Sequence, residues 1–217
     1  MTKSSLSEVN NHGRKRRGPI VLVAMILVLL VIVWASPAEE TLGDLVKIVY
    51  VHGALIRAAE LVFVASGMAG ALYLLKKTTL AVRWSWALQR SAFICLLLSF
   101  IASLYAMILS WGGINWTEPR FLAVGRILAA SAIALTLNYL LPRAKIMAWT
   151  SMFMVAVVLF EIATAGLVLH PDNPIGTSPS MATKVYYYGI LLCIVAIAVE
   201  SAHLLLPTKS HHVEPDA

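Results

Sequence analysis

Two histidines and an aromatic loop are the residues of this chain whose types and spacing could support chemistry. His52 and His170 lie at the ends of two long apolar runs, and the loop Trp111–Phe121 separates two further runs. Neutral imidazole is a good ligand for iron, and two histidines on different helices can hold one haem iron from opposite faces. We therefore expect a haem site in which His52 and His170 are the axial ligands of the iron.

The aromatic loop is the second part of this candidate site. Its residues with a possible binding role are Trp111, Gly112, Trp116, Glu118, Pro119 and Arg120. Aromatic rings can lie against a flat porphyrin, and glycine permits close approach of the backbone. Arginine binds carboxylates in a bidentate manner, so Arg120 and Arg126 are candidate partners of the haem propionates.

Each of these features also has a structural interpretation. The tryptophans are typical of aromatic anchors at a membrane interface. The Glu118-Pro119 pair is typical of a helix start, with proline in the first turn and an acid favourably placed at the helix dipole. Histidines at helix ends are often only interfacial polar residues. The haem interpretation is favoured because the predicted topology brings all three features to one face of a membrane.

The composition indicates an integral membrane protein that contacts membrane lipids. Of the 217 residues, 59% are apolar and 13% are charged, whereas soluble domains have about 45–50% and about 25%. The net charge is +6, but its distribution requires no nucleic-acid partner. Cys95 and Cys193 are far apart in apolar runs and lack the spacing of a metal or disulfide framework, so we expect packing residues.

Six apolar runs are long enough to cross a hydrocarbon core about 30 Å thick. We place them at residues 19–36, 48–75, 86–110, 122–141, 146–169 and 182–206. The first run is longer than the apolar core of a signal peptide, so we expect it to be retained. The predicted fold class is an all-α integral membrane protein with a six-helix domain over residues 18–206. A disordered basic tail (1–17) precedes this domain, and a polar tail (207–217) follows it. Gly67, Gly70, Gly125 and Gly166 are expected to allow close helix packing.

The lysines and arginines predict the orientation. Most of the 17 fall in the tails and in the loops on one side, whereas only Lys47, Arg120 and Lys184 fall on the other. Because cytoplasmic loops are enriched in these residues, we expect both termini to be cytoplasmic. The candidate site then faces the outside, or the periplasm, of a prokaryotic plasma (inner) membrane.

Several ionisable residues fall inside the apolar runs. Arg57 and Glu60 are three residues apart, so they are neighbours on one helix face and are expected to pair. Glu161 lies in the fifth run, and Glu200 and His203 lie in the sixth. Such residues line a path for haem, hold a partner helix or form internal ion pairs, and the sequence leaves these three roles open.

The aromatic loop resembles the motif of the CcmC/CcsA family of cytochrome c assembly proteins, which handle haem at the outer face of the membrane. That motif is W-G-x-x-W-x-W-D-[AP]-[KR], and the loop aligns with it without gaps. Trp111, Gly112, Pro119 and Arg120 match it, and Glu118 stands for the aspartate. Asn115 and Thr117 stand where the family has tryptophan, with Trp116 between them.

The histidines extend the resemblance to about residues 45–205. The segment Tyr50-Val51-His52 is similar to the family's tyrosine-x-histidine at the start of the second span, and His170 matches its second histidine. The six-span layout resembles the short CcmC branch, and Ser178–Met181 resembles the entry to its last span. The resemblance implies a transiently held b-type haem. It also implies ABC-type transporter subunits, a small one-span subunit and a haem chaperone as partners.

The predicted function is haem delivery in c-type cytochrome biogenesis, with haem held at the outer face and passed to an acceptor. This role forms no covalent bond, so we assign no enzymatic activity. One alternative is a small b-type membrane cytochrome, although a single haem on one face gives electrons no route across the membrane. The other is a haem-free transporter or assembly subunit, which the replaced tryptophans favour.

Overall fold

The structure is a computed structural model that describes residues 3–39, 42–166 and 175–207, with side chains described from Arg17 onward. Its helices are α1 (Lys3–Ala35), α2 (Val46–Lys76), α3 (Thr79–Trp111), α4 (Pro119–Leu140), α5 (Ala144–Thr164) and α6 (Met181–Leu204). All six contain a segment long and apolar enough to cross a membrane. The predicted all-α class and the predicted number of such helices are confirmed.

All six helices begin before the predicted apolar runs, and the difference is large for two of them. α1 begins at Lys3, within the segment expected to be a disordered tail, and its apolar part is Arg17–Ala35. α3 begins at Thr79 and not near Trp86, so Arg83 lies in a helix and its predicted placement in a loop is wrong. The reason is packing, because Ala81 and Val82 in the extra turns are buried in an apolar cluster.

α2 and α3 form the centre of the bundle. They pack against each other, and each of them also packs against α5 and α6. In addition, α3 contacts α4, whereas α1 contacts mainly α6. Many buried positions of these two helices are alanine or serine, including Ala54, Ala58, Ala92 and Ser99. Small residues allow helix backbones to approach closely, which is how helices associate where lipid removes the hydrophobic driving force.

Two glycines show how close this approach is on the α5 side of α2. A Cβ placed on Gly70 would lie 2.8 Å from the backbone oxygen of Ala148, and one on Gly67 would overlap the side chain of Val155. The predicted role of Gly67 and Gly70 in close helix packing is therefore confirmed.

Buried polar side chains join four helices near the middle of the bundle. Gln89 of α3 accepts hydrogen bonds through Oε1 from Asn138 Nδ2 of α4 (3.0 Å) and from Ser151 Oγ of α5 (3.2 Å). Ser85 Oγ donates to Ser151 Oγ (2.8 Å), and Ser66 Oγ of α2 donates to the carbonyl of Ser85 (2.7 Å). Buried hydrogen bonds of this kind fix how helices register against one another.

The bundle has two chemically different ends. At the tryptophan end, defined by residues 111–118, α1 and α5 finish and α2, α4 and α6 begin. Lys47 Nζ donates to the carbonyl of Trp34 (3.1 Å) across this end, and a Cβ on Gly166 would lie 3.8 Å from Pro119. The opposite, basic end carries Lys76, Lys77, Arg83, Arg143 and Lys145.

Candidate functional site

His52 lies in the second turn of α2, half-buried against α3. Its Nδ1 is 3.1 Å from the backbone oxygen of Ser99 and 3.2 Å from Ser99 Oγ, which also donates to the His52 carbonyl (3.2 Å). A carbonyl oxygen can only accept, so the contact with the Ser99 carbonyl is a hydrogen bond when Nδ1 carries the proton. Histidine ligands of metals are usually oriented in this way through their second nitrogen.

The aromatic loop begins where α3 ends. Trp111 is the last residue of α3, and Gly112 caps the helix with φ +74°, its N–H donating to the carbonyl of Ile108 (3.1 Å). Glycine adopts this left-handed conformation without steric cost, so Gly112 sets the direction of the loop. Trp111 and Trp116 are 40% and 64% exposed and present aromatic surface at the tryptophan end.

The second half of the loop starts α4. Asn115 Oδ1 accepts from the backbone N–H of Thr117 (3.0 Å), and Glu118 and Pro119 occupy the N-cap and the first position of the helix. The structural interpretation of Glu118-Pro119 as a helix start is thus confirmed. Glu118 is only 1% exposed and lies at the positive end of the helix dipole, which stabilises a negative charge. Arg120 is half-buried two residues after Glu118.

Aromatic contacts connect the loop to α3, the helix whose Ser99 contacts the His52 ring. Phe121 stacks on Phe100 of α3, with ring centroids 4.8 Å apart, and Trp116 packs edge-on against Phe121 at 5.8 Å. Phe100 directly follows Ser99, which contacts the His52 ring. The structure therefore joins His52 and the aromatic loop into one continuous set of contacts at the tryptophan end.

His170, the second predicted ligand, lies outside the described residues, as does the whole of 167–174. The described residues on either side of this segment are at the tryptophan end. Gly166 lies beside Pro119, and Ile175 packs into the apolar cluster that contains Tyr50.

Arg126 has a carboxylate partner within the protein. Its Nε and one Nη contact both carboxylate oxygens of Glu161 on α5 at 2.7–2.9 Å, which is a bidentate ion pair. Glu161 is 8% exposed. Because a buried carboxylate requires a partner, we infer that Arg126 neutralises Glu161. Of the open roles for Glu161, the structure supports an internal ion pair.

Two further charged pairs lie within the helices. Arg57 Nη1 donates to Glu60 Oε2 at 2.8 Å, which confirms the predicted pair. Glu200 Oε2 is 3.5 Å from Nδ1 of His203, near the basic end. Both cysteines are free: Cys95 is buried, and Cys193 is half-buried on α6.

Sequence reasoning missed two residues of this region, Ser99 and Phe100. Both lie inside a long apolar run, where one serine and one phenylalanine carry no recognisable pattern. The available signal was that a polar residue in a membrane-spanning helix usually faces another helix. That signal does not identify which residue Ser99 contacts, because His52 lies 47 residues earlier in the sequence.

No protein-family model matches this chain, and no curated protein matches its sequence.

Proposed function

We propose that this chain is a multi-pass membrane protein that holds haem at its tryptophan end and passes it to an acceptor during c-type cytochrome biogenesis. Haem is the cargo in this proposal and not a resident cofactor. The observation that carries the proposal is the contact of Ser99 with Nδ1 of His52, because the second ring nitrogen of a metal-binding histidine is usually held in this way.

The aromatic loop supports the same proposal. Trp111 and Trp116 supply exposed aromatic surface next to the elements that hold His52, and haem is a flat apolar ring that such a surface accommodates. Arg120 remains the candidate partner of a propionate, since Arg126 is paired with Glu161. His170 is the proposed second iron ligand, on the basis of the family resemblance.

The proposed orientation rests on charge. The basic end carries the lysines and arginines of two connections, whereas the tryptophan end has few, so we place the basic end and both termini in the cytoplasm. The tryptophan end then lies at the outer face of a prokaryotic inner membrane. There, it would meet the partners that the resemblance implies: ABC-type transporter subunits, a small one-span subunit and a haem chaperone.

Haem titration of the purified protein in detergent tests the proposal. We expect a low-spin absorption spectrum, with binding at least tenfold weaker in His52→Ala and in His170→Ala, since loss of an axial ligand removes one of two iron bonds. His203→Ala is the matched control, because His203 lies near the basic end. Identical binding by all four proteins would overturn the proposal.

A haem-free assembly subunit is the second candidate. The observation that favours it is the bidentate Arg126–Glu161 pair, in which a charge expected to face haem instead stabilises the packing of α4 on α5. On this hypothesis the tryptophans are interface anchors. The absence of any histidine-dependent haem spectrum would favour this candidate.

A further inference from the structure

The Arg57–Glu60 pair lies deep inside the bundle's membrane-spanning region. Arg57 is the twelfth residue of the 31-residue helix α2, so it lies four residues, or about 6 Å, before the helix midpoint at 1.5 Å per residue. When α2 is centred in a hydrocarbon core about 30 Å thick, Arg57 lies well inside that core. Charges at this depth are costly and usually face protein or water.

The arginine of this pair is nevertheless the exposed partner. Its side chain is 55% exposed, whereas that of Glu60 is 19% exposed. Arg57 also belongs to a continuous exposed stripe along α2, whose apolar members are Leu61, Met68, Leu72 and Leu75. The spacing of these residues is that of one helix face. In a membrane, this stripe is the surface of α2 that meets its surroundings.

The neighbouring helices leave this stripe open. α6 packs on α2 around Tyr50 and Ala54, and α5 packs on it around Gly67 and Gly70. Within the described part of the chain, the backbones of α5 and α6 do not come close to each other. The stripe therefore lies on the side of α2 that is left exposed between α6 and α5, which we call the lateral gap. Arg57 is half-exposed there, and Tyr187 of α6 lies beside Gly53.

We propose that this gap docks a partner transmembrane helix that carries a carboxylate at the depth of Arg57. Charge complementarity indicates the kind of partner helix. The exposed group is the Arg57 cation, whereas the carboxylate of Glu60 is more buried, so a helix that carries a carboxylate complements this surface. A partner carboxylate would place an anion beside the exposed guanidinium, and the partner helix would cover the apolar stripe. A second copy of this chain fits poorly, because a twofold axis along the membrane normal would bring Arg57 against Arg57. The inference does not depend on haem binding.

Three synthetic leucine-rich transmembrane peptides test the proposal, with glutamate, lysine or leucine at the depth of Arg57. Binding is measured by energy transfer between labelled protein and labelled peptide in phosphatidylcholine nanodiscs. We expect the glutamate peptide to bind about threefold to twentyfold more tightly than the leucine peptide, the range measured for polar contacts between membrane helices. The lysine peptide should bind no better than the leucine peptide.

The variant Arg57→Met/Glu60→Gln removes both charges together, so it leaves no buried charge without a partner. It should lose the preference for glutamate and keep wild-type haem binding. The matched control Arg126→Met/Glu161→Gln removes the ion pair between α4 and α5 and should keep the preference for the glutamate peptide. Equal binding of the three peptides, a preference that survives in the α2 variant, or self-association that depends on Arg57 would each overturn the proposal.

Discussion

The substitution Gly70→Ala tests the contact that positions α2, the helix that carries His52. The new methyl group would lie 2.8 Å from the backbone oxygen of Ala148 and 3.3 Å from its Cα. Backbone atoms cannot rotate away as a side chain can, so α2 and α5 must separate. Overpacking of this kind costs about 1–3 kcal/mol, and alanine recovers about 1 kcal/mol of helix propensity. We expect a net loss of about 0–2 kcal/mol.

Gly189→Ala in α6 is the matched control for this substitution. Nothing lies within 4 Å of a Cβ at Gly189, so only the propensity gain of up to about 1 kcal/mol applies. The free energy of unfolding is measured for both variants by circular dichroism in mixed SDS micelles. The two variants should differ by about 1–3 kcal/mol. Equal stability of Gly70→Ala and Gly189→Ala would refute the close α2–α5 packing.

Three further predictions concern Ser99, the Arg126–Glu161 pair and the orientation of the protein in the membrane. Ser99→Val should weaken haem binding about tenfold in the titration without loss of the fold, because it removes one of the two groups that orient His52; unchanged affinity would argue against that role. Arg126→Met should lower stability towards SDS more than Arg126→Met/Glu161→Gln, because the single variant leaves a buried carboxylate unpaired; the opposite order would contradict this. In a background without native cysteines, a membrane-impermeant maleimide should label Gly113→Cys but not Thr78→Cys in intact cells, and the reverse pattern would invert the proposed orientation.

Local regularities explain what could be predicted from the sequence. Hydropathy over 18 or more residues reports membrane crossing directly, because every backbone polar group in lipid must be satisfied within a helix. The six helices were therefore predictable. The Arg57–Glu60 pair was predictable as well, since a separation of three residues places two side chains on one helix face.

Contacts between helices explain what could not be predicted. Ser99 meets His52, and Arg126 meets Glu161, only after α3 has packed on α2 and α4 on α5. No local pattern encodes these partners, and isolated arginines near the tryptophan end were equally compatible with a ligand. The early start of α3 at Thr79 has the same origin, because hydropathy alone does not report that Val82 is buried by other helices.

The proposed haem position can be measured directly with two nitroxide labels. A label at Gly113→Cys lies at the tryptophan end, and one at Thr78→Cys lies at the opposite end of α3. Bound paramagnetic haem should accelerate the relaxation of the first label only, and His52→Ala should abolish the effect. Acceleration at residue 78, or acceleration at neither label despite bound haem, would contradict a haem site at the tryptophan end.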